Sequence, residues 1–325
     1  MDFQLTDDQR VLRAAARELL AGRFGGERLR AAVGDPALDR ALWRELGAAG
    51  FFALRLPEAA GGVGLGLPEA VLVCEEAGRA LLPGPLVACH LLAGVVDGVA
   101  DGERIVALAD AAQGPGWWEH PADCDELILL DEPPGQPGGA YRIPAPEARA
   151  AAQRPPSSVD PLTPLARIPG PSDASRTPLG TAVDVPRLRR EATLLTAAQQ
   201  LGSAARTVDD AVAHARTREQ FGAPIGSFQA VKHLCAGMLV RAEIARSAVY
   251  AAAVTQSEQE VAGAKLLADE AAVRNARDCV QVHGGMGFTW EADVHLHLKR
   301  GWLRAETWGP AHVMEERLAA SLSAG

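Results

Sequence analysis

Between Asp184 and Ala215 apolar residues return at three-, four- and seven-residue steps without a break: Leu188, Leu195, Ala198, Leu201, Ala205, Val208, Val212 and Ala215. A stripe of this length keeps one helical face apolar from end to end. It has to be covered by other helices, so it predicts a bundle. Asp184 and Pro186 suit the opening of that helix, the first as a cap and the second in the first turn. A second helix is predicted through Val231, Leu234, Met238, Ala245 and Val249. Ser257 and Glu260 read as a capping box that opens a third, reaching Val282. Glu291 to Leu303 and Pro310 to Leu322 supply two shorter helices.

The N-terminal part is also helical in pattern. Thr6 to Gln9 reads as a capping box, followed by Val11, Leu12, Ala15, Leu19 and Leu20 at helical spacing. A second helix is expected from Leu38 through Leu46, ended by Gly47 and Gly50, and a third through Glu69 to Leu82, stopped by Pro83. From Arg104 to Pro186 the texture changes. The runs IVALAD and ELILL suit strands, while PPGQPGG, QRPPSS and PGPSD are turn and loop material. Trp117 and Trp118 read as hydrophobic anchors in a loop. The expectation is a mainly α chain: an N-terminal helical domain (1–103), a reduced β-rich middle domain (104–185) and a C-terminal helical bundle (186–325). A partly disordered insert is the other reading of the middle.

Composition narrows the function classes. A net charge of -9 argues against a nucleic-acid partner, because phosphate backbones require a basic surface. The most apolar stretch, Leu81 to Ala100, carries Pro83, Pro85, His90 and Asp97 and is not expected to span a membrane. The opening MDFQLTDDQ is acidic and polar, the opposite of a signal peptide. Five cysteines without close pairs fit free thiols better than a disulfide framework, which suggests the cytoplasm.

Two segments carry the chemistry. Arg216 to Gln229 reads RTREQFGAPIGSFQ, and Gln281 to Phe288 reads QVHGGMGF. A guanidinium offers paired donors to diphosphate oxygens, an aromatic ring offers a flat apolar face, and glycines let backbone come close to a ligand. In this order and at this separation the two segments resemble a signature of the acyl-CoA dehydrogenase family. The turn LPEAAGGVGLG and the helical, β, helical order extend the resemblance over the whole chain. It implies FAD-dependent α,β-dehydrogenation of an acyl-CoA, with a carboxylate taking the α-proton. It also implies a flavin site built at a subunit interface, and an electron-transfer flavoprotein as acceptor. By the same resemblance, Arg218 binds the FAD diphosphate and Phe221 packs on the cofactor. Gln220, Phe228 and Gln229 flank it, and Gln281, Gly284 and Gly285 add side-chain and backbone contacts. The plain alternative makes Arg218 a surface ion-pair residue and the glycines helix terminators.

The resemblance breaks where the base should stand. Trp308, followed by Gly309, occupies the position at which many relatives carry a Glu, and an indole accepts no proton. Glu306 is close in sequence but out of register. Relatives with the base on the first long C-terminal helix would place it at Ala192. Glu191 beside it is rotated by about 100° and reads as a solvated charge. The flavin-ring turn and strand of catalytic relatives find no match between Arg104 and Pro186. The chain therefore resembles the short subunits of actinobacterial heteromeric dehydrogenases that act on steroid side-chain CoA thioesters. In such an α2β2 assembly a second, fuller chain completes the site. A self-sufficient homo-oligomer with a relocated base and a flavin-free structural subunit are the rival readings. Weaker patterns carry less. GGVGLG at Gly61 to Gly66 lacks a preceding strand, and His295 and His297 diverge on a helix and make a poor metal pair.

Overall fold

The computed structural model describes residues 4–112, 116–132, 138–153, 157–168, 176–180 and 183–323. The protein is mainly α-helical, with helices at both ends of the chain and a small β region between them. Its contacts divide it into two compact units, Arg23–Ala70 with Pro83–Ala192, and Met1–Gly22 with Val71–Leu82 and Thr193–Gly325.

The first unit holds α2 (Gly26–Gly34), α3 (Arg40–Ala48), α5 (Leu86–Leu92) and the β region. Helix α3 starts where Asp39 accepts from the N–H groups of Ala41 and Leu42. Its end lies against the loop before the sheet, where a Cβ on Gly47 would sit 2.2 Å from the Asp101 carbonyl. IVALAD and ELILL do form strands, β1 (Val106–Asp110) and β3 (Glu126–Asp131), and they pair in parallel. Every residue of β3 is buried, as expected of a central strand covered on both faces. β4 (Gly139–Pro144) and β6 (Thr177–Pro178) extend the sheet in the order β1-β3-β4-β6. Helix α6 (Ala145–Ala151) packs beside β3 and β4.

Trp117 and Trp118 are not in a loop. They begin β2 (Trp117–Glu119), which pairs antiparallel with β5 (Leu165–Arg167), and Trp118 is fully buried. The three turn segments fall largely outside the described residues, at 133–137, 154–156 and 169–173.

The second unit is the bundle: α1 (Asp7–Arg23) as far as Gly22, α4 (Leu67–Arg79) from Val71, α7 (Val185–Thr217) from Thr193, α8 (Gln229–Thr255), α9 (Glu258–His283), α10 (Val294–Ala305) and α11 (Ala311–Ser323). The Thr6–Gln9 capping box closes in both directions, at 3.1 and 3.2 Å. The box at Ser257 closes in one direction: Ser257 accepts from the Glu260 N–H, while the Glu260 carboxylate turns to Thr255. Helix α7 is buried on every side from Thr193 to Ala204, well beyond the single stripe seen in the sequence.

Two glycines let α4 and α7 cross at backbone distance. A Cβ on Gly78 would lie 2.0 Å from the Gln199 carbonyl oxygen, and one on Gly202 would lie 1.8 Å from the Glu75 carbonyl oxygen. Neither helix has a flexible side chain there that could yield. Gly202→Ala should therefore destabilise the fold by about 1–3 kcal/mol through forced separation of the helices. Gly263→Ala on α9, where a Cβ meets nothing within 4 Å, should be neutral or stabilising. Urea unfolding of the two variants checks both signs, and equal stabilities would refute the close-crossing argument.

Candidate functional site

Helix α7 ends at Thr217 and the chain reverses at once. The Arg218 N–H donates to the His214 carbonyl at 2.8 Å, and the Ile225 N–H donates to the Arg218 carbonyl at 2.8 Å. Between these bonds β7 (Glu219–Gln220) pairs with β8 (Ala223–Pro224). The two loop residues, Phe221 and Gly222, have φ of 54° and 78°, the mirror-image turn that suits a two-residue hairpin. Glycine adopts that conformation freely, but a phenylalanine there costs on the order of 1–3 kcal/mol. The ring gains nothing from its own chain's core, since Phe221 is 93% exposed. Its ring and that of Phe228 meet edge to face, with centroids 6.2 Å apart. The Gln220 amide turns back to the Glu219 carbonyl at 2.8 Å, and Gln229 opens α8. Arg218 is exposed and has no acidic partner among the described residues.

The second segment ends α9. Gly284 sits at φ 62° and ψ -142°, a region reserved for glycine, and starts a 3₁₀ turn through Phe288. Added Cβ atoms on Gly284 and Gly285 would meet nothing, whereas one on Gly287 would lie 2.6 Å from the Val280 carbonyl. The first two glycines are thus open toward solvent and the third serves packing. Gln281 is exposed. The helices that lead into the two segments meet through a contact that neither motif announces: the rings of His214 on α7 and His283 on α9 stack at 4.1 Å and 23°. One end of the bundle therefore presents an unpaired guanidinium, an exposed aromatic ring and open glycine backbone. This donor set fits a diphosphate joined to flat rings, as in FAD.

The positions considered for a base look different. Trp308 is half-buried at φ 52° and precedes Gly309 at φ 105°. Glu306 is exposed at the end of α10. Glu191 is no solvated charge: it is 4% exposed, takes two bonds from Arg55 at 2.7 and 2.9 Å, and a third from Arg187 at 2.8 Å. Burial pushes its pKa up, but the bonds from Arg55 and Arg187 outweigh that and hold it below the ordinary value. A carboxylate held this way has little lone-pair capacity left for a proton. The sequence missed the clamp because Arg55 lies 136 residues away.

Family models for the acyl-CoA dehydrogenase N-terminal and C-terminal domains match residues 6–100 and 180–323. The acyl-CoA dehydrogenase IpdE2 of Mycolicibacterium smegmatis is 33% identical over 98% of this chain and 100% of its own length. This chain belongs to the acyl-CoA dehydrogenase family. Among solved structures, the Tcur3481-Tcur3483 steroid ACAD, in a variant form, superposes with a TM-score of 0.81 at 25% identity over 98% of both chains. The ChsE4-ChsE5 complex from Mycobacterium tuberculosis gives 0.84 at 25% identity over 99% of both.

Gly61 to Gly66 form a turn after a 3₁₀ segment (Glu58–Ala60), and no cluster of His, Cys, Asp and Glu that could hold a metal occurs among the described residues. No helix among them is long and apolar enough to cross a membrane. The five cysteines are free thiols. His297 is a core residue, 2.6 Å from the Ser203 hydroxyl. Burial, with Arg206 and Arg300 nearby, lowers its pKa to about 3. His90, bonded to the Phe51 carbonyl at 3.2 Å, is lowered by burial to about 4.

Both histidines stay neutral in the folded chain but titrate near 6.5 when it unfolds, so below that pH the unfolded chain binds more protons. Stability should be level above about pH 6.5 and fall as the pH drops toward 4, by roughly 1.4 kcal/mol per pH unit for each histidine. His297→Gln should make the fall shallower in denaturant titrations run at pH 7, 6 and 5. An unaltered slope would remove His297 from the account.

Proposed function

We propose that this chain is a subunit of an FAD-dependent acyl-CoA dehydrogenase, contributing flavin contacts to a site that a different, fuller dehydrogenase chain completes. One observation carries the reading: Phe221 is held in a costly conformation at 93% exposure, beside an Arg218 without an acidic partner among the described residues. Strain kept at an exposed aromatic tip marks a contact made with something outside the chain. When bound, FAD supplies the hydride acceptor. In this reading Arg218 grips the diphosphate through two parallel bonds and Phe221, with Phe228 at its edge, covers an apolar face. Gln220, Gln229 and Gln281 flank it, and Gly284 and Gly285 offer backbone N–H groups.

The same reading gives the α-proton to a carboxylate of the partner, because Trp308 is no base and Glu191 is clamped. An α2β2 assembly, an acyl-CoA substrate of the steroid side-chain type and an electron-transfer flavoprotein as acceptor complete the proposal. The names of the two structural relatives, one a steroid ACAD and one a complex of two proteins, support the first two of these. Free thiols support the cytoplasm. The division into domains at 1–103, 104–185 and 186–325 belongs to the same reading.

In the assembled protein, Arg218→Ala should lower flavin absorbance per protein while circular dichroism stays unchanged. Loss of a charge-assisted contact costs about 1.5–3 kcal/mol, roughly ten- to hundred-fold in affinity. Arg218→Lys should recover part of it, since a point charge lacks the planar fork. Undiminished flavin in the alanine variant would refute the assignment, and an assembled protein without any flavin would favour a structural subunit.

The base is tested separately. Glu306→Gln should leave anaerobic flavin bleaching by acyl-CoA within a few-fold of the parent rate. Glu191→Gln should loosen the fold near Arg55 without stopping the bleaching that remains per folded protein. A drop of several orders of magnitude at Glu306, with flavin retained, would make this the base-carrying chain.

A further inference from the structure

The stacked histidines beside Arg218 are more than a packing contact. His283 is oriented by its Nδ1 atom, which donates to the Cys279 carbonyl at 2.8 Å, so its neutral form keeps Nε2 without a proton. His214 lies flat against it and is half-buried, and neither of its nitrogens has a hydrogen-bond partner among the described residues. Arg218 follows His214 by one helical turn, so the two side chains leave the same side of the helix end. The carboxylates nearby are already engaged. Asp210 on α7 pairs with Arg206 at 2.9 Å, and Asp278 on α9 pairs with Arg241 of α8. Cys279 is neutral, its thiol pushed up to about 12 by burial, and burial also raises the thiol of Cys235 on α8. Glu219, next to Arg218 on the hairpin, is exposed.

We infer that His214, positioned by His283, is a further anion-binding residue of the Arg218 site and takes up one proton as the diphosphate of a dinucleotide binds. This rests on the flavin reading above. Within the chain itself a proton on His214 is disfavoured by burial, by His283 and by Arg218, all of which lower its pKa. A diphosphate brings two negative charges to the same place and reverses the balance. The uptake is that of the His214 imidazole, so it does not exceed a single proton. His214 then donates to a phosphate oxygen alongside the guanidinium.

The test is FAD binding to the flavin-stripped, assembled protein by calorimetry, in two buffers of different ionisation enthalpy. Near pH 7 binding should be accompanied by uptake of most of one proton, and Kd should rise roughly thirtyfold from pH 6 to pH 8. His214→Gln should bind FAD with little uptake and a flat profile, while matching the parent to within a few-fold at pH 8. Zero uptake by the parent, or the same pH profile in His214→Gln, overturns the inference. If Arg218→Ala nevertheless weakens FAD binding, the flavin reading survives that failure. If Arg218→Ala binds FAD like the parent, both fall together. Should His214→Gln not fold, the His214 imidazole resonance of the parent decides: its titration must move to higher pH when FAD binds, and an unmoved titration overturns the inference.

Discussion

Asn275 is fully buried on α9 and spends its amide hydrogens on two other helices, the Ala204 carbonyl of α7 at 3.3 Å and the Met238 carbonyl of α8 at 2.9 Å. Its oxygen accepts from Arg241 at 2.8 Å. A buried amide with all its groups engaged sets both the rotation and the height of three helices at once, because a slip of any one would strand a polar group in the core. Gln200 on α7 ties two further helices through its amide nitrogen alone, which donates to Asp269 of α9 and to the Gly301 carbonyl of α10 at 2.9 and 3.0 Å. The glycine crossing of α4 and α7 adds a contact with no slack.

That registration brings the ends of α7 and α9 together. His214 and His283 can stack only if the two helices finish at the same level, and the Arg218 hairpin and the Gly284 turn inherit their places from those ends. The hairpin then holds Phe221 at positive φ, at a cost the rest of the bundle covers. Local strain on a rigid support is what a contact point for a ligand or partner requires, since a relaxed loop would lose more freedom on binding.

The other unit shows the opposite use of polar groups. The Glu191 carboxylate is held there between the guanidinium groups of Arg55 and Arg187. Arg189 is engaged likewise, by Asp110 and Glu132. The start of α7 is therefore built as a structural ion network. The proposal that a partner chain supplies the base rests on this clamp and on the indole of Trp308.

Much of this was already written in the sequence. The helices of the bundle, the Thr6–Gln9 box and the strands β1 and β3 are local patterns, encoded by spacing and by caps a few residues away. The two motif segments were legible for the same reason, since each is a short run with its own chemistry. What escaped the sequence was settled by distant partners. Trp118 became a strand residue because β5 lies opposite it, about fifty residues on. Glu191 became a buried anion because Arg55 reaches it, and Glu260 left its capping box because the Thr255 hydroxyl competes for it. Periodicity carries one face of a helix at a time, so it could show that α7 is buried on one side but not that it is surrounded. Only the packed bundle brings His214 to His283, sixty-nine residues apart, and turns two separate motifs into one surface.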